Sequence, residues 1–256
     1  MRVSLVHDRR TSMATYYSGG IYRGLCKHTC WGGSIITLPA MILVGLDPTV
    51  ANATNRLGIM LSALSAAAGF KSKKVSVMPF SLYLGLAATI GAVIGAMIAV
   101  EFDKRLFNKV LAIIMIIIVV LMILQPRIKR AISIERLNGK PLWFTLMVFL
   151  LLGVYGGFIN AGMGLLMILW LNLFNGLDLI RTNATKVLVT AIYTSAALAV
   201  FIWNDLIDWL IGLLLAIGNL VGGWIAARLS VKKGEGFIRA ALLVMVILMT
   251  VKLWFY

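Results

Sequence analysis

Acidic side chains are scarce in this sequence, which has nine Asp and Glu against 24 Lys and Arg in 256 residues. None of the nine acids lies in the middle of a long apolar run. There are two histidines, and the two cysteines are Cys26 and Cys30. Intramembrane hydrolases and metal sites need Ser with His, paired Asp or several Cys and His ligands. We therefore predict no enzyme, no metal site and no cofactor.

Charge of either sign is low. Charged residues make up 13% of the chain and hydrophobic residues 61%, with a mean hydropathy of +0.97, whereas soluble proteins average about 25% charged residues. Backbone in lipid must satisfy its own hydrogen bonds, and the apolar runs lack strand-like alternation, so we predict an all-α polytopic membrane protein. Six runs approach or exceed the roughly 20 residues that cross a bilayer: Val75–Val100, Leu106–Leu124, Trp143–Phe174, Thr185–Trp203, Leu206–Ala227 and Phe237–Phe255.

The net charge of +15 does not indicate nucleic-acid binding, because the basic residues lie in short connections between apolar runs. This distribution is typical of the positive-inside bias of membrane proteins. Segments 101–109 and 204–208 carry four of the nine acids and define the opposite, outer face. We assign four basic segments to the cytoplasm: 71–74, 127–140, 181–186 and 228–239.

An internal repeat is the most informative feature. A shift of 131 residues places 32–70 on 163–201 without a gap, with twelve of the 39 aligned positions identical. Two polar triplets match in register, the Asn-Ala-Thr triplets at 52–54 and 183–185 and the Gly-Leu-Asp triplets at 45–47 and 176–178. Apolar composition alone does not align such triplets, so the chain contains two related halves.

The first element of the repeat is complete in the second half of the chain. Residues 142–175 are too long for one span and are interrupted by Gly153, Gly156, Gly157, Asn160, Gly162 and Gly164. Because glycine is a poor helix former, we predict two short helices that meet at a broken centre and return the chain to the side it left. Three further helices per half give an odd number of crossings. The halves are therefore predicted to be inverted, a plan typical of transporters.

The predicted domains follow from this repeat. The first transmembrane repeat is 32–125, the basic cytoplasmic linker is 126–141 and the second repeat is 142–256. Residues 1–31 match nothing in the second half, and we hypothesise that they are out of frame. A one-base shift lets residues 25–31 read Phe-Val-Asn-Thr-Leu-Ala-Gly, similar to the sequence after Gly157. The alternative is a genuinely divergent N-terminus, and resequencing around the Trp31 codon distinguishes the two.

These motifs resemble those of the TauE/SafE family of bacterial permeases, often described as sulfite exporters. The motifs are Gly-Gly-Ser-Ile-Ile-Thr-Leu-Pro-Ala at 32–40 and Asn-Ala-Thr-Asn-Arg at 52–56. In the second half they are 157–164 and 182–186, and the resemblance extends from about residue 32 to the C-terminus. Trp31 stands where the family usually has glycine. The resemblance implies transport more firmly than it implies sulfite, sulfonates or related sulfur anions.

An anion inside a bilayer needs hydrogen-bond donors, which broken helices supply as N-terminal backbone N–H groups. The alternative is that the glycines only permit tight helix packing, which we prefer for Gly91 with Gly95 and for Gly218 with Gly222. The predicted substrate-binding residues are Gly32, Gly33 and Ser34 in the first half, and Asn160, Gly162 and Gly164 in the second.

The repeated Asn-Ala-Thr motif supplies a second group of candidates: Asn52, Thr54, Asn55, Arg56, Asn183, Thr185 and Lys186. Asn and Thr are common N-caps, and we interpret at least one member of each pair as a cap. The bases Arg56 and Lys186 either attract an anion towards the pore mouth or anchor the helices at the interface.

Together these features predict a permease for a small anion in the bacterial inner membrane, with the bilayer and an anionic solute as its partners. Export is favoured, because an anion that leaves an inside-negative cell gains about 2.3 kcal/mol per charge per 100 mV. The rival interpretation is a scaffold or assembly protein that transports nothing. Channel or carrier action and homo-oligomerisation stay open.

Overall fold

The computed structural model describes residues 37–38, 40–42, 45–72, 78–124, 135–217 and 219. These residues form helices joined by turns and short connections, with no strand among them, so the all-α class is confirmed. The helices are α1 (Pro48–Ser72), α2 (Phe80–Glu101), α3 (Lys104–Leu124), α4 (Lys140–Phe158), α5 (Met163–Leu173) and α6 (Leu179–Trp203), and residues 209–217 are also helical. The predicted segment 1–31 and the site residues Gly32, Gly33 and Ser34 lie outside the described residues.

Three of the described helices are long and apolar enough to cross a membrane: Phe80–Glu101, Lys140–Phe158 and Ile180–Trp203. Large apolar side chains point outward along them, and the Trp203 side chain is 89% exposed. Such surfaces are stable in hydrocarbon and unfavourable in water. The chain is therefore a multi-pass membrane protein.

Helices α1 and α6 are equivalent elements of the repeat. Each has 25 residues, and their first residues, Pro48 and Leu179, are 131 positions apart. The Asp178 carboxylate caps α6 by accepting the backbone N–H groups of Ile180 and Arg181, both at 2.8 Å. Asp47 occupies the same position before α1. The expectation that the Asn-Ala-Thr motifs open these helices is wrong, because the preceding Asp residues are the caps.

Helices α1 and α6 lie side by side and run in opposite directions. Near the start of α1, the Arg56 guanidinium lies 4.7 Å from the ring centroid of Phe201, which is near the end of α6. At the other end of α6, Thr185 accepts a hydrogen bond of 3.1 Å from the Ser81 hydroxyl at the start of α2. Helix α2 follows α1 in the chain, so the start of α6 lies at the end where α1 finishes.

Equivalent positions of the two halves make equivalent contacts with the opposite half. The contact between Ser81 and Thr185 maps, through the 131-residue shift, onto Gly212 and Thr54. These two residues are indeed neighbours, since a Cβ atom on Gly212 would lie 3.3 Å from Thr54 Cγ2. A two-fold relation between the halves generates contact pairs of this kind.

The second-half hairpin has the predicted shape, with α4 and α5 separated by a break at 159–162. The chain returns to its starting side, where the Arg136 backbone N–H donates to the Asn175 carbonyl and the Asn175 side chain donates to the Arg136 carbonyl, both at 2.9 Å. The predicted interruption at Asn160 and Gly162 is confirmed, because both lie in this break. At Gly153, Gly156, Gly157 and Gly164 the prediction is wrong, because the first three lie inside α4 and Gly164 lies inside α5.

The glycines of α2 and α4 bring the two helix backbones into contact. A Cβ atom on Gly91 would lie 2.0 Å from the Leu150 carbonyl oxygen, and one on Gly153 would lie 2.2 Å from the Ala88 carbonyl oxygen. Gly95 and Gly157 repeat the arrangement one turn later, at 2.0 and 2.1 Å from facing carbonyl oxygens. This confirms the predicted packing role of Gly91 and Gly95. Gly218 and Gly222 lie outside the described residues.

Candidate anion-binding site

Arg56 is the centre of the candidate site. Its side chain is 0% exposed, and its Nη2 atom donates a hydrogen bond of 2.5 Å to the carbonyl oxygen of Gly157. Its Nε and Nη1 atoms are buried and have no hydrogen-bond acceptor among the residues that the structure describes. The Nε atom of a guanidinium cation carries one N–H group and the Nη1 atom carries two. These three donors therefore remain available to a ligand. The burial also excludes an anchor that reaches the membrane interface.

The last turn of α4 provides two acceptors for side chains of α1. The Asn52 amide donates to the Phe158 carbonyl oxygen at 2.7 Å, next to the carbonyl that accepts from Arg56. Carbonyl groups in the last turn of a helix lack intrahelical partners and carry the negative end of the helix dipole. The end of α4 therefore attracts a cation. The helix N-terminus predicted from the sequence in this half is that of α5, which begins at Met163.

Two tyrosines donate hydrogen bonds to residues of the hairpin break. Tyr193 donates to the side-chain oxygen of Asn160 at 2.6 Å, and Tyr155 donates to the carbonyl oxygen of Ala161. Asn160 has a φ of 62°, a backbone conformation that Asn tolerates better than most residues. The ring of Tyr193 also packs against α4, since a Cβ atom on Gly156 would lie 3.2 Å from its Cε2.

Gly162 lies at the start of α5, where the break meets α3. Its φ of 68° is in the left-handed region, and a Cβ atom there would lie 2.7 Å from Ile118 Cδ1. We expect Gly162→Ala to lower the free energy of unfolding by about 2–3 kcal/mol, from the backbone conformation and from overpacking. Denaturant titration in detergent measures this change.

A double-mutant cycle tests the cause of that loss. Ile118→Val removes Cδ1, the atom nearest to the Cβ that Gly162→Ala adds. We expect the effect of Ile118→Val on the free energy of unfolding to be about 1 kcal/mol more favourable in the Gly162→Ala background than in the wild type. Strictly additive losses would show that Ile118 is not the obstacle.

The other described site residues are distributed around the site, and all of them except the half-buried Gly164 are buried. Thr54 accepts the backbone N–H of Asp208 at 3.0 Å, and Asn55 accepts the hydroxyl of Thr37 at 2.7 Å. Asn183 is fully buried, Lys186 is 5% exposed, and Thr185 contacts Ser81 as described above. Gly164 lies in the first turn of α5. The structure thus joins Asn52, Arg56 and Asn160 through the end of α4.

Sequence reasoning missed Tyr193 and Phe201 of α6 and the two carbonyl acceptors of α4. A tyrosine in the middle of an apolar run is a detectable signal, because a buried hydroxyl in a membrane needs a partner. The carbonyl acceptors leave no sequence signal, because every residue has that group.

The site lies among helices that are long and apolar enough to cross a membrane, because Arg56 contacts Gly157 of α4 and Phe201 of α6. Both contacts are near the ends of those helices. A charged group that is buried among membrane-spanning helices is unfavourable and usually marks a solute or ion pathway.

A cavity of about 180 Å³ lies at the basic end of the same helices. Its wall includes Arg181 and Thr185 of α6 and Phe80 of α2. At its mouth, Arg181 forms an ion pair with Glu135. This cavity is a recess with a mostly apolar wall at the start of α6, on the side opposite the end that carries Asp205.

These features define the class: the protein is a multi-pass helical membrane transporter, with a broken hairpin and a buried cation beside it. It belongs to the TauE/SafE family, since the sequence model described as "Sulfite exporter TauE/SafE" matches residues 29–253.

Relatives in other bacteria carry names of the same class. A "Probable membrane transporter protein" of Haemophilus influenzae is 28% identical over 95% of this chain and 97% of its own length. The "Probable membrane transporter protein YfcA" of Escherichia coli is 28% identical over 90% of this chain and 85% of its own length. No solved structure matches the chain.

Proposed function

We propose that this protein is a permease for a small oxyanion in the bacterial inner membrane and that Arg56 binds the anion. The supporting observation is the pair of buried guanidinium nitrogens that have no acceptor among the described residues. A buried charge is strongly unfavourable unless a counter-charge and hydrogen bonds compensate it. Oxyanions suit guanidinium well, because their oxygens accept several of its N–H groups at once.

Sulfite, a sulfonate or a related sulfur oxyanion is the proposed substrate. The description of the matching family supports this choice, and the names of the relatives specify no substrate. Export is the proposed direction, because the inside-negative potential drives an anion outward. A scaffold would give no reason for a buried guanidinium that lacks a counter-charge in the described part of the chain.

Alternating access between two inverted halves is the proposed mechanism. The antiparallel α1 and α6, and the exchanged contacts of Ser81 and Thr54, support the inverted arrangement. The anion would then bind between α1 of the first half and the hairpin of the second, where a rocking motion changes access. The counterpart site, which stays a prediction, would use Gly32, Gly33 and Ser34 with Asn183, Thr185 and Lys186.

Flux in proteoliposomes tests the proposal. Purified full-length protein is reconstituted with radiolabelled sulfite inside and unlabelled sulfite outside, a condition under which both an exchanger and a uniporter release label. We expect label efflux well above that of protein-free vesicles, and slower efflux when a small sulfonate competes inside. Glucose in place of the sulfonate is the matched neutral competitor and should have no effect. Folded protein that releases no label would favour the scaffold interpretation.

A further inference from the structure

The positive charge of Arg56 is not compensated by any residue that the structure describes. Its contacts are the Gly157 carbonyl and the Phe201 ring, and both of these are neutral groups. Its two remaining nitrogens contact no acceptor, so no carboxylate of the described residues is hydrogen-bonded to it. Counted over the described residues, the site therefore carries one net positive charge when it is empty.

The carboxylates of the described residues have other positions and roles. Each is at least partly exposed, whereas Arg56 is not. Several cap helices: Asp103 accepts backbone N–H groups of α3, Asp178 those of α6, and Asp208 that of Ile211. Glu135 pairs with Arg181. These carboxylates are Asp47, Glu101, Asp103, Glu135, Asp178, Asp205 and Asp208.

This imbalance affects the empty and the loaded transporter differently. A carrier passes through a state in which its site is closed to both sides, and the Arg56 side chain is fully buried in the structure. When the site holds a singly charged anion such as hydrogen sulfite, the closed state contains a neutral pair. When the site is empty, the closed state contains a desolvated cation with no counter-charge from the described residues, which is far less stable. The loaded form should therefore change its access much faster than the empty form.

We propose that the transporter is an obligate anion exchanger, in which one anion moves out only as another moves in. This inference rests on the proposed function, because it requires that an anion binds Arg56. The return of the carrier needs a second anion to neutralise the guanidinium. Export still gains from an inside-negative potential when the outgoing anion carries more charge than the incoming one.

The test compares efflux with and without an anion on the opposite side. Proteoliposomes are loaded with radiolabelled sulfite and diluted into either sulfite or gluconate, an anion too large for a single-arginine pocket. Equal potassium on both sides with valinomycin holds the potential at zero, so that charge build-up cannot imitate exchange. We expect efflux at least tenfold faster into sulfite than into gluconate.

The outcomes separate the two proposals. Equal efflux into both media would overturn obligate exchange and leave an anion permease that works as a uniporter or channel. No efflux into either medium would overturn the proposed function, and the exchange with it. Residual efflux through Arg56→Gln should no longer depend on the external anion. If that variant keeps the tenfold dependence, the assignment of exchange to Arg56 is wrong.

Discussion

Replacing Arg56 with glutamine is expected to reduce sulfite exchange by about a hundredfold or more. Charge-assisted hydrogen bonds contribute about 1.5–3 kcal/mol each, and two such bonds correspond to at least that factor. Glutamine keeps an N–H group that can face the Gly157 carbonyl but has no charge for an anion. Arg56→Lys keeps the charge and loses the planar fork, so we expect an intermediate loss of about tenfold. Initial rates of label exchange in proteoliposomes measure both.

Stability measurements distinguish this functional effect from misfolding. Arg56 is a buried cation without a counter-charge among the described residues, so in the absence of anion Arg56→Gln should unfold at the same temperature as the wild type or higher. Sulfite should raise the melting temperature of the wild type and leave that of the variant unchanged. Arg105→Gln, which removes an exposed guanidinium at the start of α3, is the matched control. Unchanged exchange in Arg56→Gln would rule out this site.

The Gly91→Leu substitution is expected to have the largest effect on stability. A Cβ atom at this position would lie 2.0 Å from the Leu150 carbonyl oxygen. That neighbour is helix backbone and cannot move aside as a side chain does, so α2 and α4 must separate. We expect the free energy of unfolding to fall by about 3 kcal/mol or more, at the upper end of the overpacking range.

Leu86→Phe is the control for this substitution, because it adds bulk at an exposed position of the same helix. The Leu86 side chain is 53% exposed and lies outside the buried face of α2, so added bulk there should change stability by less than about 1 kcal/mol. Denaturation in mixed detergent micelles, followed by circular dichroism, compares the two variants. An equal loss in both would show that α2 tolerates no added bulk anywhere and that the glycine contact is not special.

Sequence patterns were sufficient for the class and for the hairpin but not for its details. The apolar runs and the broken segment 142–175 predicted helices that the structure contains. Intrinsic propensity disfavours glycine in helices, and for that reason the sequence predicts an interruption at Gly153 and Gly157. Packing against α2 overrides that preference, since only glycine lets the two backbones meet.

The first residues of α1 and α6 are a second detail that sequence patterns did not predict. Asp47 and Asp178 stand next to Pro48 and Leu179, and their carboxylates accept the first backbone N–H groups of α1 and α6. Asn52 and Asn183 are also of a capping residue type, so residue type alone left two possible starts four or five residues apart. The carboxylate contacts decide between them.

The sequence by itself determined that this is a helical, multi-pass membrane protein of two related halves, because hydropathy, helix breaking and repetition are properties of neighbouring residues. Only the tertiary structure decided what Arg56 contacts. Its acceptor, Gly157, is 101 residues away in the chain, and no local pattern predicts that the end of α4 meets α1. The same contact leaves the remaining guanidinium nitrogens without an acceptor in the described part of the chain. This arrangement, not the presence of an arginine, is what points to an anion.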